Sequence, residues 1–232
     1  MAGDILISGF SGAGKSSLIG HLSGKVAGRL IEIDGLNLPE TSGEQAMICV
    51  VDAVNLSTLL EGRLSGELVA AQIARAGLVV VTRSDAVDAS GAVDRVKGLT
   101  DAPVLDAPFG KIDPSGLAGL AARAGGAFDI SDGYARWTYQ GPAVLGKDQA
   151  QALLKSRPPG IYRLSGQVRS SKGGFDLQVV GRSRQITPID MPAESRLSAI
   201  GPADRFVAAD MDLCFAQAVA ASAHLGGLFS HR

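Results

Sequence analysis

The sequence lacks three things that would each point to a particular class of protein: a set of cysteines, a long hydrophobic run and a strong net charge. Its two cysteines, Cys49 and Cys214, lie far apart in apolar surroundings, which is typical of buried reduced thiols and excludes a disulfide framework or a zinc site. A membrane-spanning helix needs about 20 consecutive apolar residues, and the apolar runs here are much shorter. The sequence therefore predicts a folded protein with no membrane partner.

The start of the chain and its charge distribution exclude two further classes. The first ten residues, MAGDILISGF, carry no basic segment of the kind that precedes a secretory signal, so we expect a cytoplasmic protein. The net charge is −1, but residues 1–133 hold 10 Lys and Arg against 16 Asp and Glu, whereas residues 134–232 hold 12 against 7. This asymmetry favours two domains, and it is too mild to indicate a nucleic-acid partner.

Two patterns of hydrophobicity follow each other along the chain. Up to Gly126, apolar strand-like runs alternate with helix-like stretches, which predicts a parallel sheet flanked by helices. Strands are predicted at 4–8, 29–34, 46–52, 77–82 and 103–106, with helices within 57–76 and from Asp113 onward. From about Tyr134, alternation in period two predicts antiparallel strands, with helices near 147–155 and 210–222. We therefore expect an α/β domain over residues 1–130 and a smaller α+β domain over residues 134–232.

The stretch GFSGAGKSSL, residues 9–18, matches the phosphate-binding pattern G-x-x-x-x-G-K-[ST], with a predicted strand before it and a predicted helix after it. Glycines let successive backbone amides converge on phosphate oxygens, Lys15 supplies a positive charge between the β- and γ-phosphates, and Ser16 offers a hydroxyl to Mg²⁺. The predicted nucleotide-binding residues here are Gly9, Ser11, Gly12, Ala13, Gly14, Lys15, Ser16 and Ser17. The predicted fold class is accordingly a P-loop NTPase sheet with a smaller C-terminal α+β domain.

A magnesium and water site also needs an acid, and two residues qualify. Glu32 ends the apolar strand of LIEIDG, and Asp52 ends the hydrophobic run of MICVVD, the usual form of a Walker B acid. A carboxylate at the carboxyl end of a central parallel strand lies beside the phosphate loop. The motifs by themselves leave both acids open.

The run LVVVTRSD, residues 78–85, indicates which base is bound. Guanine-nucleotide proteins carry [NT]-K-x-D after the corresponding strand, and here Arg83 takes the place of the lysine. Asp85 would accept hydrogens from the guanine N1 and exocyclic amine, and the Arg83 guanidinium would stack on the base. Following a phosphate loop at this distance, the motif favours GTP and GDP.

With these motifs in this order, the chain resembles the CobW-like GTPases, the metallochaperone branch of P-loop proteins. The resemblance runs through GFSGAGKSSLI, IEIDGLNLPE, VVDAVNL and QIARAGLVVVTRSD to APFGKIDPSGL, which is similar to the segment that closes over the base in that family. It implies that Glu32, rather than Asp52, is the acid near Mg²⁺ and the attacking water, and that Lys15 and Glu32 carry catalysis. It also implies a client metalloprotein or a second copy of the chain as partner.

The sequence departs from this family in one segment. Family members have several dozen residues between the phosphate-loop helix and the E-x-x-G motif, including a switch segment and a C-x-C-C metal motif, where this chain has only LIGHLSGKVAGRLI. The resemblance therefore implies a Mg²⁺-dependent GTP-binding protein with weak GTPase activity, slow or activated by a partner. Two alternatives stay open: a nucleotide-binding regulatory or scaffold module without turnover, and a small-molecule P-loop kinase.

Overall fold

A computed structural model of the protein describes residues 3–88, 90–117 and 119–226. The chain divides into two units, Met1–Ser131 and Asp132–Arg232. Within the described ranges, no helix has both the length and the apolar character that crossing a membrane requires.

The first unit is built on a parallel sheet whose strands alternate with helices. Its elements are β1 (Ile5–Ser8), α1 (Lys15–Leu22), β2 (Leu30–Glu32), β3 (Asn37–Leu38), β4 (Thr41–Asp52), α2 (Leu56–Glu61), α3 (Arg63–Arg75), β5 (Leu78–Thr82), α4 (Ser90–Lys97), β6 (Val104–Ala107), β7 (Ala122–Gly125) and β8 (Phe128–Asp129). The parallel strands lie in the order β2-β1-β4-β5-β6, β7 joins β4 in antiparallel orientation, and β3 pairs with β8. This arrangement confirms the predicted parallel sheet flanked by helices.

The central strands are buried, which explains their continuous apolar sequences. One core cluster contains Ile7, Ala13, Leu18, Leu22, Ile48, Val50, Leu78, Val80, Ala107 and Ile112. In the register of the sheet, Ser8 lies opposite Cys49 and Asp52 lies opposite Thr82. The carboxyl ends of β1, β4 and β5 therefore meet at one edge of the sheet, and the predicted site residues follow that edge.

The helix predicted to begin at Asp113 is wrong. The chain forms only a short 3-10 turn at Pro114–Leu117, and β7 then pairs with the first half of β4. Glycine lowers helix stability by about 1 kcal/mol per residue, and Gly116 and Gly119 both fall within the predicted helix. The first half of β4 also offers backbone hydrogen-bonding groups to a neighbouring strand, which favours an extended conformation there.

The helical pattern over residues 57–76 forms two helices rather than one. Gly62 separates α2 from α3 with an extended backbone (φ −73°, ψ 131°). A Cβ on Gly62 would lie 2.2 Å from the Ser65 hydroxyl oxygen, which itself donates a hydrogen bond to the Leu59 carbonyl at 2.8 Å. The break therefore occurs where the chain has no side chain and a neighbouring hydroxyl takes its space.

Arg75, at the end of α3, holds the segment that leads into β4. Its guanidinium donates to the carbonyls of Pro39 (2.8 Å), Gly125 (3.0 Å) and Gly126 (2.5 Å), and to the Thr41 hydroxyl (2.9 Å). Partial burial lowers the pKa of this guanidinium below its usual value. One side chain thus ties the start of β4 to the end of β7.

The second unit is an antiparallel sheet with helices. Its elements are β9 (Tyr134–Gly141), α5 (Lys147–Ser156), β10 (Arg163–Ser170), β11 (Gly173–Val180), β12 (Ser183–Ile189), β13 (Ser195–Pro202) and α6 (Ala208–Gly226). The strand order is β12-β11-β10-β13-β9. Its core contains Trp137, Leu145, Ala150, Leu153, Leu154, Ile161, Leu164, Val168, Leu177, Val179, Leu197, Ala199, Phe206, Met211, Cys214, Phe215 and Ala218. The predicted antiparallel strands and both predicted helices of this region are confirmed.

Candidate functional site

The predicted phosphate loop connects β1 to α1 through a backbone that only glycines adopt readily. Gly9, Gly12 and Gly14 all have positive φ angles, of 134°, 90° and 102°. Gly9 has a second constraint, because a Cβ there would lie 2.2 Å from the Val50 carbonyl oxygen of β4. The loop is therefore pressed onto the central strand, and α1 follows directly, with Ser16 and Ser17 exposed in its first turn.

Thr82, at the end of β5, is hydrogen-bonded to the phosphate loop. Its buried hydroxyl lies 2.7 Å from the Ala13 carbonyl oxygen and 3.2 Å from the Val51 carbonyl oxygen. A hydroxyl has one hydrogen, so these two acceptors share it, and the shorter contact is to the loop. Thr82 begins the TRSD part of the predicted base-reading motif, and its position at the end of an apolar strand is the sequence signal for this second role.

Lys15, Ser16 and Glu32 come together at the start of α1. The Lys15 ammonium is buried and donates to the Gly9 carbonyl at 2.8 Å, and it lies 3.9 Å from Glu32 Oε1. The Ser16 hydroxyl donates to Glu32 Oε2 at 2.8 Å. A positive charge, a hydroxyl and a carboxylate thus lie side by side at a helix N-terminus, an arrangement suited to binding an anion together with a hard cation.

Gly35 presses the segment after Glu32 against the phosphate loop. A Cβ on this buried glycine would lie 2.4 Å from the Ser11 backbone nitrogen, 2.7 Å from the Ser11 Cα and 3.0 Å from the Phe10 carbonyl carbon. The neighbouring turn is closed by Asp34, whose carboxylate accepts the Leu36 N–H at 2.9 Å. The three-residue spacing of Glu32 and Gly35 therefore places the Glu32 carboxylate beside Ser16 and the Gly35 backbone against the Ser11 backbone.

Asp52, the alternative acid, is engaged in a different network. Its buried carboxylate accepts two hydrogen bonds from the Arg83 guanidinium, through Nε at 2.9 Å and through Nη2. It also accepts the Val54 N–H at 3.0 Å and the Asn55 amide at 2.6 Å. Arg83 has a left-handed backbone (φ 55°), which is costly for a residue with a Cβ. The predicted stacking position of the Arg83 guanidinium is thus replaced by a two-point ion pair with Asp52.

Replacing Asp52 with alanine is expected to lower the free energy of unfolding by about 2 kcal/mol, because it leaves a partly buried guanidinium and a buried amide without their acceptor. Urea denaturation measures the loss. Asp4→Ala is the matched control: it removes the carboxylate of an exposed ion pair with Arg29 and should cost about 0.5 kcal/mol or less. Equal losses in the two variants would contradict the structural role of Asp52.

Asp85 lies on the loop after β5 and is exposed. Its Oδ1 accepts the backbone N–H of Phe109 at 2.9 Å, which joins this loop to the turn Pro108–Gly110 after β6. The same turn reaches the phosphate-loop helix, since a Cβ on Gly110 would lie 4.0 Å from Ser17 Cβ. The structure therefore connects the predicted base-reading carboxylate, the Phe109 turn and the first turn of α1.

The cysteine of the first unit is a buried free thiol. Cys49 lies on β4, and burial raises the pKa of its thiol to about 12, with a Ser8 hydrogen bond and the Lys15 charge acting weakly in the other direction. Among the described residues, no three His, Cys, Asp or Glu side chains form a group that could hold a metal ion. A cation beside Ser16 and Glu32 would therefore need further ligands from the nucleotide or from water.

Comparison with known proteins finds a family model that matches part of the chain. Residues 31–109 match the family model described as CobW/HypB/UreG, nucleotide-binding domain. No curated protein matches the chain. Among solved structures, the crystal structure of a Zn(II)-bound triple mutant of the YjiA GTPase is similar over 93% of this chain and 98% of that chain, with 14% sequence identity and a TM-score of 0.40.

The family match begins after the phosphate loop and extends to Phe109. It includes both candidate acids and the base-reading motif that ends in Asp85. The phosphate loop itself satisfies an independent pattern and has the glycine backbone that this pattern requires. Residues 31–109 are thus similar to the nucleotide-binding domain of the CobW/HypB/UreG family, and the phosphate loop that precedes them has the backbone of a phosphate-binding loop.

Proposed function

We propose that this protein binds GTP and GDP in a Mg²⁺-dependent manner and hydrolyses GTP slowly. The observation that carries the proposal is the 2.8 Å hydrogen bond between Ser16 and Glu32, next to the buried Lys15 ammonium and the glycine loop. A loop of backbone amides with one lysine binds the phosphates of a nucleotide. The adjacent hydroxyl and carboxylate supply the oxygen ligands that a phosphate-bound magnesium ion needs.

The residues at this position fit Mg²⁺. Ser16 and Glu32 present only oxygen donors, and a magnesium ion in nucleotide sites is held by one or two protein oxygens together with phosphates and water. Bound there, the ion would neutralise charge that develops on the phosphate oxygens. The buried Asp52 is engaged with Arg83 and Asn55, which favours Glu32 as the acidic ligand.

Within the site, Lys15 and Glu32 have different roles in hydrolysis. Lys15 would stabilise negative charge on the β- and γ-phosphates, and Glu32 would orient the attacking water. The connection from α1 to β2 spans only residues 23–29, which leaves no room for a switch segment of the usual length. We therefore expect slow turnover unless a partner supplies a further group.

Guanine selection is assigned to Asp85. Guanine presents two hydrogens on one edge, at N1 and at the exocyclic amine, and a carboxylate offers about four lone-pair positions. One Asp85 oxygen accepts the Phe109 N–H, which fixes the carboxylate and still leaves acceptor positions for the base. Adenine lacks this pair of donors, so it would gain nothing from the carboxylate.

Calorimetry with GDP, ADP and xanthosine diphosphate tests the assignment. The wild type should prefer GDP, and Asp85→Asn should lower GDP affinity by about 10- to 30-fold, because the amide would turn a donor toward the guanine amine. The same variant should gain affinity for xanthosine diphosphate, whose C2 oxygen accepts the new donor.

Asp88→Asn is the matched control, because Asp88 is an exposed carboxylate on the same loop whose nearest hydrogen bond is to Ser90 within its own turn. It should leave GDP affinity at the wild-type value. Equal binding of GDP and ADP by the wild type would overturn guanine selection, and an unchanged base preference in Asp85→Asn would overturn the role of Asp85.

The partner and the compartment are proposed from the family resemblance. We place the protein in the cytoplasm, with a client metalloprotein or a second copy of the chain as its partner. Because its cysteines are the buried Cys49 and Cys214, we do not assign it the cysteine-based metal capture of the family.

A further inference from the structure

Phe109 is exposed in a way that packing does not explain. Its ring is 79% exposed, more than any other large hydrophobic side chain in the described part of the chain. Its backbone is left-handed, with φ 56° and ψ 22°. This conformation is costly for a residue with a Cβ, and strained residues of this kind cluster at ligand sites.

The turn that carries Phe109 is tied to both ends of the proposed nucleotide site. The Phe109 N–H donates to Asp85, the residue proposed to read the base edge. Gly110, also with positive φ, lies next to Ser17 in the first turn of α1. The turn that carries the ring is therefore held between the predicted base-reading carboxylate and the first turn of α1.

The residue expected to cover the base is engaged elsewhere. Arg83 occupies the position of the lysine in the guanine motif, but its guanidinium forms the two-point ion pair with Asp52. Moving it onto a base would leave the buried Asp52 carboxylate without its main partner, which is costly. A base read by Asp85 thus needs another group on its face.

We propose that the Phe109 ring stacks on the face of the guanine base, a role that rests on the nucleotide-binding function proposed above. A purine ring offers a flat aromatic surface, and an exposed phenyl ring gains contact with it at little entropic cost because the turn is already fixed. Loss of one base–aromatic stack is expected to weaken binding by about 10-fold. Phe109 thereby increases the affinity for any purine nucleotide, while Asp85 selects guanine over adenine.

The test compares GDP with inorganic pyrophosphate, a probe that has phosphates but no base. Calorimetry on the full chain should show that Phe109→Ala weakens GDP binding about 10-fold. Phe109→Tyr, which keeps the ring, should retain wild-type GDP affinity. Pyrophosphate should bind all three proteins equally. Leu213→Ala, another exposed hydrophobic side chain, serves as the matched control and should change neither affinity.

Tryptophan fluorescence distinguishes direct stacking on the base from an indirect effect of the turn's conformation. The chain holds one tryptophan, Trp137, so Phe109→Trp adds a second emitter whose signal is read against the wild type. GDP should quench the added emission, whereas pyrophosphate should not. Stacking is overturned by unchanged GDP affinity in Phe109→Ala, by an equal loss of pyrophosphate affinity, or by the absence of quenching.

Failure of this inference is distinguishable from failure of the proposed function. If the wild type binds GDP and ADP equally, guanine selection fails, but Phe109→Ala should still weaken both, because either purine offers a face. If the wild type binds GDP and Phe109→Ala binds it as well, only the stacking role is overturned. A wild type that binds no nucleotide overturns both.

Discussion

Replacing Lys15 with alanine is expected to reduce GDP and GTP affinity by about 1,000-fold, the largest loss we expect from any single substitution in the chain. The Lys15 ammonium is buried within the phosphate loop and is held by the Gly9 carbonyl. Its charge would face the β- and γ-phosphates, and truncation would leave their negative charge without a buried partner. Calorimetry with each nucleotide measures the loss.

Lys25→Ala is the control for this substitution. Lys25 follows the same helix, is exposed, and lies 3.3 Å from the ring of His21 rather than in the phosphate loop. It removes the same unit of charge and should leave nucleotide affinity unchanged. If Lys15→Ala binds GDP as well as Lys25→Ala does, the phosphate loop is not the binding site.

The same pair of variants separates turnover from binding alone. In a single-turnover assay, the wild type and Lys25→Ala should release phosphate from GTP, and Lys15→Ala should release none. A wild type that binds GTP tightly and releases no phosphate would favour the scaffold alternative. Transfer of the phosphate to a small-molecule acceptor rather than to water would favour the kinase alternative.

The phosphate loop could be predicted because its requirements are local. The pattern from Gly9 to Ser16 fixes where positive φ angles, a lysine and a hydroxyl fall along the chain. The parallel sheet was predictable for a related reason, since buried strands such as β5 read as apolar runs that end in polar site residues. Spacing alone thus locates the edge of the sheet where the site lies.

The choice between Glu32 and Asp52 was not predictable from either strand. Both acids end an apolar run, and what distinguishes them is tertiary: Arg83 reaches Asp52, whereas Ser16 reaches Glu32. The substitution of Arg for Lys in the guanine motif looked tolerable because a guanidinium can stack on a base. Its ion pair depends on a residue 31 positions away, which no local pattern reports.

The conformation of the Phe109 turn could not be predicted from the sequence either. The sequence around it resembles the segment that closes over the base, but neither its exposure nor its left-handed backbone follows from the letters PFG. The wrong helix after Asp113 has the same origin, because the competing partner of β7 is the first half of β4, far away in sequence. Local patterns fail where a distant strand or charge decides the conformation.

Replacing Gly35 with alanine is expected to weaken GDP binding by about 100-fold, because an added Cβ would lie 2.4 Å from the Ser11 backbone nitrogen. A contact that close must be relieved by movement. The Gly35 segment has little freedom to move away, since the Ile33 N–H donates to Ile7 and the Leu36 carbonyl accepts the Ile130 N–H. The phosphate loop would have to shift instead, which would turn its amides away from the phosphates.

Stability and affinity should respond differently to this substitution. Overpacking at one site is expected to cost about 1–3 kcal/mol, which thermal denaturation would detect as a lowered Tm in a protein that still folds. Gly20→Ala is the matched control, because Gly20 is exposed on α1, a Cβ there would have no atom within 4 Å, and the variant should gain stability without losing affinity. Wild-type GDP affinity in Gly35→Ala would contradict the coupling. If the affinity falls as expected, the Glu32 segment and the phosphate loop act as one rigid unit, and the position of the acid is then set by a glycine rather than by its own strand.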